Sequence, residues 1–340
     1  RTSMFTTEIR ALEGTLHKYV EFDGPLILDS GAFNFLQYDA IAITPAAVLE
    51  VGIELNADVS VVLDHPFPPD IDETERAVRL TRTRENTRLM VEALARYNGD
   101  RPDGFALMPV LHGHDAATLQ ASLEDITTIL GHQPAIVGVG SLAPLAKNGN
   151  TRKAIDVILE TRRLLPHAHI HCFSMGSALL MLLAFYCGVD TVDSQSWIMS
   201  AAFKQVQLPG FYLTRLSSHQ AEQHAIKYQR TRQAFAQRLV KLVNEEAFAI
   251  KEWDSGAAWS LANERDALAY LDYLEDRDGV NQIHRRACHN LYTFNFEAAR
   301  VREMIRQSDL EAFIRNRMTT TRYLRAFRYA VERKAALHGS

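Results

Sequence analysis

Three aspartates share one kind of position, each at the end of a short apolar run that is typical of a β-strand. They are Asp29, Asp64 and Asp193. Carboxylates at strand ends lie where a barrel enzyme keeps its catalytic groups, although an aspartate there is also a common turn-forming residue. In the third run, strand alternation places Asp193 on one face with Thr191 and turns Asp190 the other way. The threefold recurrence favours a shared catalytic edge over a scattered solvated surface.

The elements that must position these residues alternate between two periodicities. Apolar runs predict strands at 26–29, 59–63, 105–111, 135–139, 169–173 and 190–193. Between them, helical periodicity predicts helices over 45–56, 72–98, 116–130, 152–165 and 177–188. Repeated βα units imply a parallel sheet. Six units in series, with no Gly-x-Gly-x-x-Gly after the first strand, predict an α/β fold with a (β/α)8 TIM-type barrel.

Beyond residue 215 the pattern changes to long polar helices, such as 217–249 and 309–337. We therefore expect residues 1–215 to hold the catalytic barrel strands and helices, and residues 216–340 to form a helical C-terminal region that completes the barrel and contacts nucleic acid. The last helix is basic with interleaved aromatics, which is typical either of a polynucleotide contact or of a solvated face. The nucleic-acid candidates are Arg315, Arg322, Arg325, Arg328, Lys227 and Arg230, and Arg317 belongs to the same basic stretch.

Composition narrows the function classes only moderately. The chain has 340 residues, of which 47% are hydrophobic and 23% charged, and its net charge of −4 provides no global positive field for nucleic acid. Its three cysteines, Cys172, Cys187 and Cys288, are far apart, so neither a disulfide scaffold nor a paired metal motif is expected, and a cytoplasmic location is predicted. No apolar stretch approaches the roughly 18 residues of a membrane span, so no membrane partner is expected.

Six motifs, three of which contain these aspartates, follow one another in a fixed order from the first strand to the sixth. They are Leu28-Asp-Ser-Gly-Ala-Phe33, Val62-Leu-Asp64, Met108-Pro-Val-Leu-His-Gly113, Val137-Gly-Val-Gly-Ser-Leu142, Ser174-Met-Gly176 and Gly188-Val-Asp-Thr-Val-Asp-Ser194. Each motif alone is weak. Their order and spacing together resemble the tRNA-guanine transglycosylase superfamily, and most of all its 7-deazaguanine DNA transglycosylases.

This resemblance implies a base-exchange enzyme that replaces guanine in DNA with a free 7-deazaguanine base, such as 7-cyano-7-deazaguanine, without a cofactor. Asp193 would be the nucleophile that forms a covalent glycosyl-enzyme, and Asp29 the general acid and base. Asp64 would accept hydrogen bonds from the purine, and Phe33 with Met175 would cover its faces. The implied substrate-binding residues are Asp64, His112, Gly113, Gly140, Ser141, Leu142, Phe33, Met175 and Gly176.

The chain also departs from the family pattern. His112 stands where the family has glutamine, which changes how the exocyclic groups of the base are recognised. Cys288-His289-Asn290 resembles the segment with the family's histidine zinc ligand, but the three upstream cysteines are missing. Because His289 alone cannot hold a tetrahedral zinc, we predict none, and atomic absorption would test this. The missing cysteines, and a chain without room for the archaeal RNA-binding domain, favour DNA over tRNA.

Three alternatives stay open. The protein could act on tRNA as a tRNA-guanine transglycosylase. It could be a metal-dependent barrel hydrolase, since His112 and His114, like His169 and His171, lie two residues apart and Asp64 with Asp193 could complete a metal site. It could also be a non-enzymatic subunit that binds nucleic acid for a partner, although two strand-end carboxylates argue against this. A homodimer or a required partner protein is undecided.

Overall fold

A computed structural model of the chain describes residues 15–35, 43–68, 71–97, 99–142, 150–175, 177–213, 225–275, 282–318 and 321–338. These residues form two compact units. The first contains the described residues up to Phe173, together with Cys187–Val192 and the C-terminal end from Ala336. The second contains Ser174–Tyr186 and Asp193–Ala335. The chain thus passes between units near residues 173, 186, 192 and 335, while the predicted division at 215 stays a prediction.

Parallel strands in sequential order form the first unit. They are β1 (Ile27–Leu28), β2 (Val59–Val61), β3 (Ala106–Met108), β4 (Val110–Leu111), β5 (Ile136–Val139), β6 (His169–Cys172) and β7 (Thr191–Val192). Strands pair in the orders β1-β2-β3 and β4-β5-β6-β7. Pro109 separates β3 from β4 because it has no N–H to pair, yet its carbonyl still accepts from Gly138 N at 2.9 Å. This is the strand order of a (β/α)8-type barrel, and it confirms the predicted strands.

Helix α1 (Leu16–Val20) precedes β1 and was not predicted. The next helices follow the strands where the periodicity predicted them, and they are α2 (Pro45–Glu54), α3 (Glu73–Arg96), α4 (Ala116–Leu130) and α5 (Thr151–Leu164). Helices α2, α3 and α4 begin after the capping residues Thr44, Asp72 and Asp115. The side-chain oxygen of each cap accepts a hydrogen bond from the N–H of the residue three positions later. Gly131, with φ 75°, ends α4 in the left-handed conformation that glycine adopts easily.

Helix α3 holds the segment that follows β2. Asn86 Nδ2 donates to the carbonyl of Leu63 at 2.8 Å, and Thr83 Oγ1 accepts from the N–H of His65 at 2.9 Å. These two bonds bracket Asp64, so the backbone on both sides of that aspartate is fastened to α3.

The second unit is mainly helical. Its elements are α6 (Ala178–Tyr186), α7 (Ser196–Ala202), β8 (Val206–Leu208), β9 (Phe211–Leu213), α8 (Ala225–Glu246), α9 (Glu264–Glu275), α10 (Gln282–Gln307), α11 (Leu310–Arg317) and α12 (Thr321–His338). The predicted helix over 309–337 was wrong in one respect: Met318, with ψ 79°, leaves the helical conformation and ends α11. The antiparallel hairpin β8-β9 was not predicted, because its three-residue strands are too short to show alternation.

A buried ion cluster links α8, α10 and α11. The Arg317 guanidinium contacts both carboxylate oxygens of Glu246 and lies 3.2 Å from Glu297 Oε2. Arg317 is only 5% exposed and Glu297 is fully buried. Burial raises the pKa of the Glu297 carboxyl. Arg317 therefore does not belong to the basic surface in which the sequence placed it.

No helix of the described residues is long and apolar enough to span a bilayer.

Candidate active site

Polar residues follow the carboxyl ends of the parallel strands. Asp29 comes directly after β1, Asp64 three residues after β2, His112 directly after β4, and Gly140 with Ser141 directly after β5. In a sequential parallel sheet these ends lie at the same edge, as the sequence predicted.

Three of these residues form a continuous hydrogen-bonded series, which we call the Asp64–His112–Ser141 relay. His112 Nε2 lies 2.9 Å from Asp64 Oδ2, and His112 Nδ1 lies 3.1 Å from Ser141 Oγ. The N–H of Phe67 donates to the same Ser141 oxygen at 3.1 Å. His112 is fully buried and Asp64 is 8% exposed. Both ring nitrogens of His112 therefore have partners within the protein.

Close packing keeps the imidazole of His112 in place. A Cβ atom on Gly140 would lie 2.3 Å from His112 Cε1, so only glycine allows the chain to pass this ring. On another side, the Phe67 ring centroid is 5.3 Å from that of His112. A Cβ on Gly113 would similarly meet Leu119 Cγ at 2.7 Å. Leu142 is 1% exposed, which leaves its backbone rather than its side chain for a ligand.

Two serines at strand ends have backbones in the left-handed region. Ser141, after β5, has φ 59°, and Ser174, after β6, has φ 57°. A residue other than glycine adopts this backbone conformation at a cost of about 1 kcal/mol or more, and such residues occur preferentially at functional sites.

Asp193 directly follows β7 and belongs to the second unit. Its side chain is exposed, and its Oδ1 accepts the N–H of Ser174 at 2.6 Å. Asp190 differs, because its Oδ2 accepts from Ile170 N at 2.8 Å and from the guanidinium of Arg162, and so connects structural elements. The sequence motif around Met175 drew attention to this turn but not to the N–H of Ser174.

The remaining base-binding candidates differ in accessibility. Asp29 is exposed, and Gly31 beside it has φ 73°. Phe33 lies in a 3₁₀ turn, Ala32–Phe35, with its side chain 45% exposed. Met175 is 1% exposed. Gly176 lies outside the described residues.

The predicted nucleic-acid residues lie on three helices. Arg322, Arg325 and Arg328 are exposed on α12, and Arg230 is exposed on α8. Arg315 is exposed on α11, where it forms an ion pair with Glu311 at 2.8 Å. The side chain of Lys227 lies outside the described part of the chain. These positions stay a prediction of nucleic-acid contact.

The histidine pairs do not gather around a metal position. His169 Nε2 and His171 Nδ1 each lie 2.9 Å from Thr191 Oγ1, and His114 Nε2 lies 3.5 Å from Asp115. Within the residues that the structure describes, no three histidine, cysteine or acidic side chains come together as metal ligands. The hydrolase alternative therefore gains no support from the geometry.

The family's zinc is likewise not accommodated by the residues at its expected place. His289 Nδ1 lies 3.0 Å from Tyr270 Oη, and its Nε2 lies 2.9 Å from the carbonyl of Gln207. Trp253 Nε1 donates to the same tyrosine oxygen at 2.8 Å. We call these four residues the His289 cluster. Burial lowers the pKa of His289 to about 4. Cys288 instead contacts His284 at 3.6 Å, so the donors that zinc requires do not converge.

Comparison with known proteins agrees with this geometry. The chain matches the model of the queuine tRNA-ribosyltransferase family over residues 3–323. It is 26% identical over 214 residues to the tRNA-guanine(15) transglycosylase of Thermococcus kodakarensis, which covers 60% of this chain and 34% of that protein. It is 29% identical over 195 residues to the enzyme of that name from Archaeoglobus fulgidus, which covers 56% and 38%. The chain thus matches little more than a third of these relatives' length. With its motifs at successive strand ends and a match over nearly its whole length, the chain belongs to the queuine tRNA-ribosyltransferase family.

Proposed function

We propose that the protein is a base-exchange transglycosylase, which replaces guanine in a polynucleotide through a covalent glycosyl-aspartate. The observation that carries this proposal is the exposed Asp193 carboxylate, held by the N–H of Ser174 at 2.6 Å directly after a parallel strand. Family membership and the name of the relatives, tRNA-guanine(15) transglycosylase, support guanine as the base that is exchanged.

In the first half-reaction, a carboxylate oxygen of Asp193 attacks the anomeric carbon of the target nucleotide. The bond from that carbon to the base breaks, its electron pair goes to the base, and Asp29 donates a proton to the departing guanine. A carboxylate suits this step because positive charge develops on the sugar in an oxocarbenium-like transition state. The N–H of Ser174 keeps the Asp193 side chain in one orientation.

In the second half-reaction, the nitrogen of a free base attacks the same carbon and gives its proton to Asp29. The ester bond to Asp193 breaks, and its electron pair returns to the carboxylate. Two successive displacements retain the configuration of the sugar. Asp29 thus ends each cycle protonated, ready for the next leaving group.

Base recognition is proposed for the edge that carries the Asp64–His112–Ser141 relay. Asp64 accepts hydrogen bonds from the purine, while the backbone of Gly140, Ser141 and Leu142 borders it. The ring of Phe33, 45% exposed, can stack on the base, whereas Met175 is 1% exposed and offers little side-chain surface for stacking.

Two polymers are candidate substrates for this exchange. The names of the relatives support tRNA. DNA, with 7-cyano-7-deazaguanine as incoming base, is the second candidate. It is supported by the His289 cluster, which stands where enzymes of the tRNA type hold zinc. With either polymer, the exposed Arg230, Arg322, Arg325 and Arg328 are proposed as phosphate contacts.

The decisive experiment measures incorporation of radiolabelled guanine, and separately of labelled 7-cyano-7-deazaguanine, into unmodified tRNA, duplex DNA and single-stranded DNA. Label in tRNA would support the first candidate, and label in DNA the second. Asp193→Asn should abolish incorporation into either, since the amide is a poor nucleophile of nearly the same shape.

The matched control is Asp103→Asn, which alters an exposed aspartate in a turn of the first unit. It should leave incorporation unchanged. In addition, wild-type protein mixed with polymer in the absence of free base should form a complex that survives denaturing electrophoresis. If no polymer acquires label and no such complex forms, the proposed function is wrong.

A further inference from the structure

Two departures from the family pattern contact each other in this protein. His112 stands where the family has glutamine. Gly140-Ser141-Leu142 resembles a Gly-Gly-Leu turn of the family, so Ser141 stands where that turn has its second glycine. The two residues are 29 positions apart and follow β4 and β5, yet His112 Nδ1 lies 3.1 Å from Ser141 Oγ. Because the two replacements form one hydrogen bond, each supplies the partner that the other needs.

The relay determines where its protons lie. An ionised Asp64 carboxylate can only accept, so the shared contact at 2.9 Å requires a proton on His112 Nε2. In the neutral imidazole the second nitrogen then has no proton, and Nδ1 accepts the hydroxyl hydrogen of Ser141. The Ser141 oxygen also receives the N–H of Phe67. Its hydrogen is therefore directed inward, and its remaining lone pair is an acceptor.

His112 therefore has no side-chain group with which to contact the base. Its side chain is fully buried, both nitrogens are bonded, and Gly140 and Phe67 confine the ring. A glutamine amide offers both a donor and an acceptor, whereas this imidazole has neither left for a ligand. Asp64 uses Oδ2 for His112, so Oδ1 is the oxygen with which it can contact a base.

We infer that His112 is a positioning residue, and that Ser141 together with Asp64 determines base specificity by presenting two oxygen acceptors. This inference rests on the proposed function and deepens it. The ligand class is a free purine or 7-deazapurine with two adjacent donors, an amino group and a ring N–H, on one edge. A base without the amino group leaves one of the two acceptors unpaired, which is costly in a desolvated site.

A serine, histidine and aspartate in series also occur in hydrolases, where the serine oxygen is the nucleophile. Here the Ser141 oxygen already accepts the backbone N–H of Phe67, which withdraws electron density from the lone pairs. The series therefore serves to orient an acceptor. Hydrolysis of a p-nitrophenyl ester by the wild type that is lost in Ser141→Gly would contradict this assignment.

The test is a double-mutant cycle with His112→Gln, Ser141→Gly and the two together, which restores the glutamine and glycine of the family pattern. The first readout is binding of labelled guanine and labelled hypoxanthine by equilibrium dialysis, which requires no polymer and no turnover. Each single variant should bind guanine roughly tenfold more weakly, because a buried polar group loses its partner. The double variant should bind no more weakly than the worse single variant.

Discrimination between bases, and not stability, separates specificity from a merely structural role. Ser141→Gly relieves the backbone strain of φ 59°, but it leaves His112 Nδ1 and the N–H of Phe67 without their partner, so a lower unfolding midpoint in urea is expected in either case. A merely structural role predicts that guanine and hypoxanthine binding weaken by the same factor. The wild type should also bind guanine at least about tenfold more tightly than hypoxanthine, and Ser141→Gly should reduce this ratio.

The outcomes distinguish this inference from the proposed function. Binding that follows the predicted cycle, with no incorporation of label into any polymer, would support the inference and contradict the exchange reaction. Incorporation with binding losses that multiply in the double variant would support exchange and overturn the inference. Histidine ring ¹⁵N spectra add a third readout: a protonated Nδ1 on His112 in the neutral ring would also overturn it.

Discussion

Two histidines in this protein have the same burial and the same number of partners, yet belong to different kinds of region. His112 and His289 are both fully buried, and each uses both ring nitrogens. The partners of His112 are a carboxylate and a hydroxyl at strand ends of the first unit. Those of His289 are a phenol and a backbone carbonyl inside the second unit.

The difference indicates that the partners, and not burial, distinguish the histidine of the proposed site from a core histidine. The carboxylate of Asp64 and the hydroxyl of Ser141 each keep further hydrogen-bonding capacity toward a ligand. Tyr270 is fully buried and receives Trp253, so the His289 cluster is closed to anything outside it. The arrangement around His112 can therefore affect which base is bound, whereas the arrangement around His289 can only stabilise the second unit.

The largest effect is expected for the site itself. Asp193→Asn should reduce base exchange by at least about a thousandfold, because the nucleophile is lost, while thermal unfolding should shift by no more than a few degrees. Single-turnover incorporation of label, with circular dichroism to follow unfolding, measures both quantities. Residual exchange within tenfold of the wild type would show that another group is the nucleophile.

The core should respond in the opposite way. Arg317→Met leaves the fully buried Glu297 without its ion-pair partner, and leaves Glu246 with Arg238 at 3.7 Å, so it should cost about 3–5 kcal/mol of unfolding free energy. Arg315→Met on the same helix is the matched control, since that exposed pair is worth about 1 kcal/mol or less. Urea unfolding compares them. Equal losses would mean that the cluster does not stabilise the second unit.

The pH dependence of stability tests His289 directly. Its pKa is about 4 in the folded protein and about 6.5 when unfolded, so the unfolded state takes up a proton first as the pH falls. The contribution of the neutral His289 to the unfolding free energy is fully present above pH 6.5 and is lost as the pH falls toward 4. About 2 kcal/mol is lost between pH 7 and 5.

Urea unfolding of the wild type and of His289→Gln at these two pH values isolates this contribution, because the other titrating groups are common to both. Between pH 7 and 5, the unfolding free energy of the variant should fall by about 2 kcal/mol less than that of the wild type. An identical loss in both proteins would show that His289 is accessible to protons in the folded state.

The smallest effect tests how the scaffold holds the site. Thr83→Val leaves the N–H of His65 without its acceptor and should cost about 1–2 kcal/mol, with weaker guanine binding because Asp64 is adjacent. Thr87→Val is the matched control one turn along α3, where the hydroxyl donates only to the carbonyl of Thr83. If both variants bind guanine equally, the anchor does not position Asp64.

Much of the fold was predictable because its signals are local. Strand and helix periodicities, capping residues such as Asp72 and Asp115, and the strand-end aspartates all depend on residues within a few positions of one another. The β8-β9 hairpin and the break at Met318 were missed, since a three-residue strand and a single non-helical residue leave no periodic trace.

By itself, the sequence determined the order of βα units, the family to which the chain belongs, and the carboxylates at the strand ends. Tertiary structure decided which groups meet between residues 29 to 83 positions apart, as in the contact of His112 with Ser141 and the hydrogen bond from the N–H of Gln207 to Asn290 Oδ1. It also decided that Arg317 is buried among carboxylates while Arg315, two residues earlier, is exposed. Whether two such groups pair depends on the distance between the elements that carry them and on the loss of water around them. A local sequence pattern contains neither quantity.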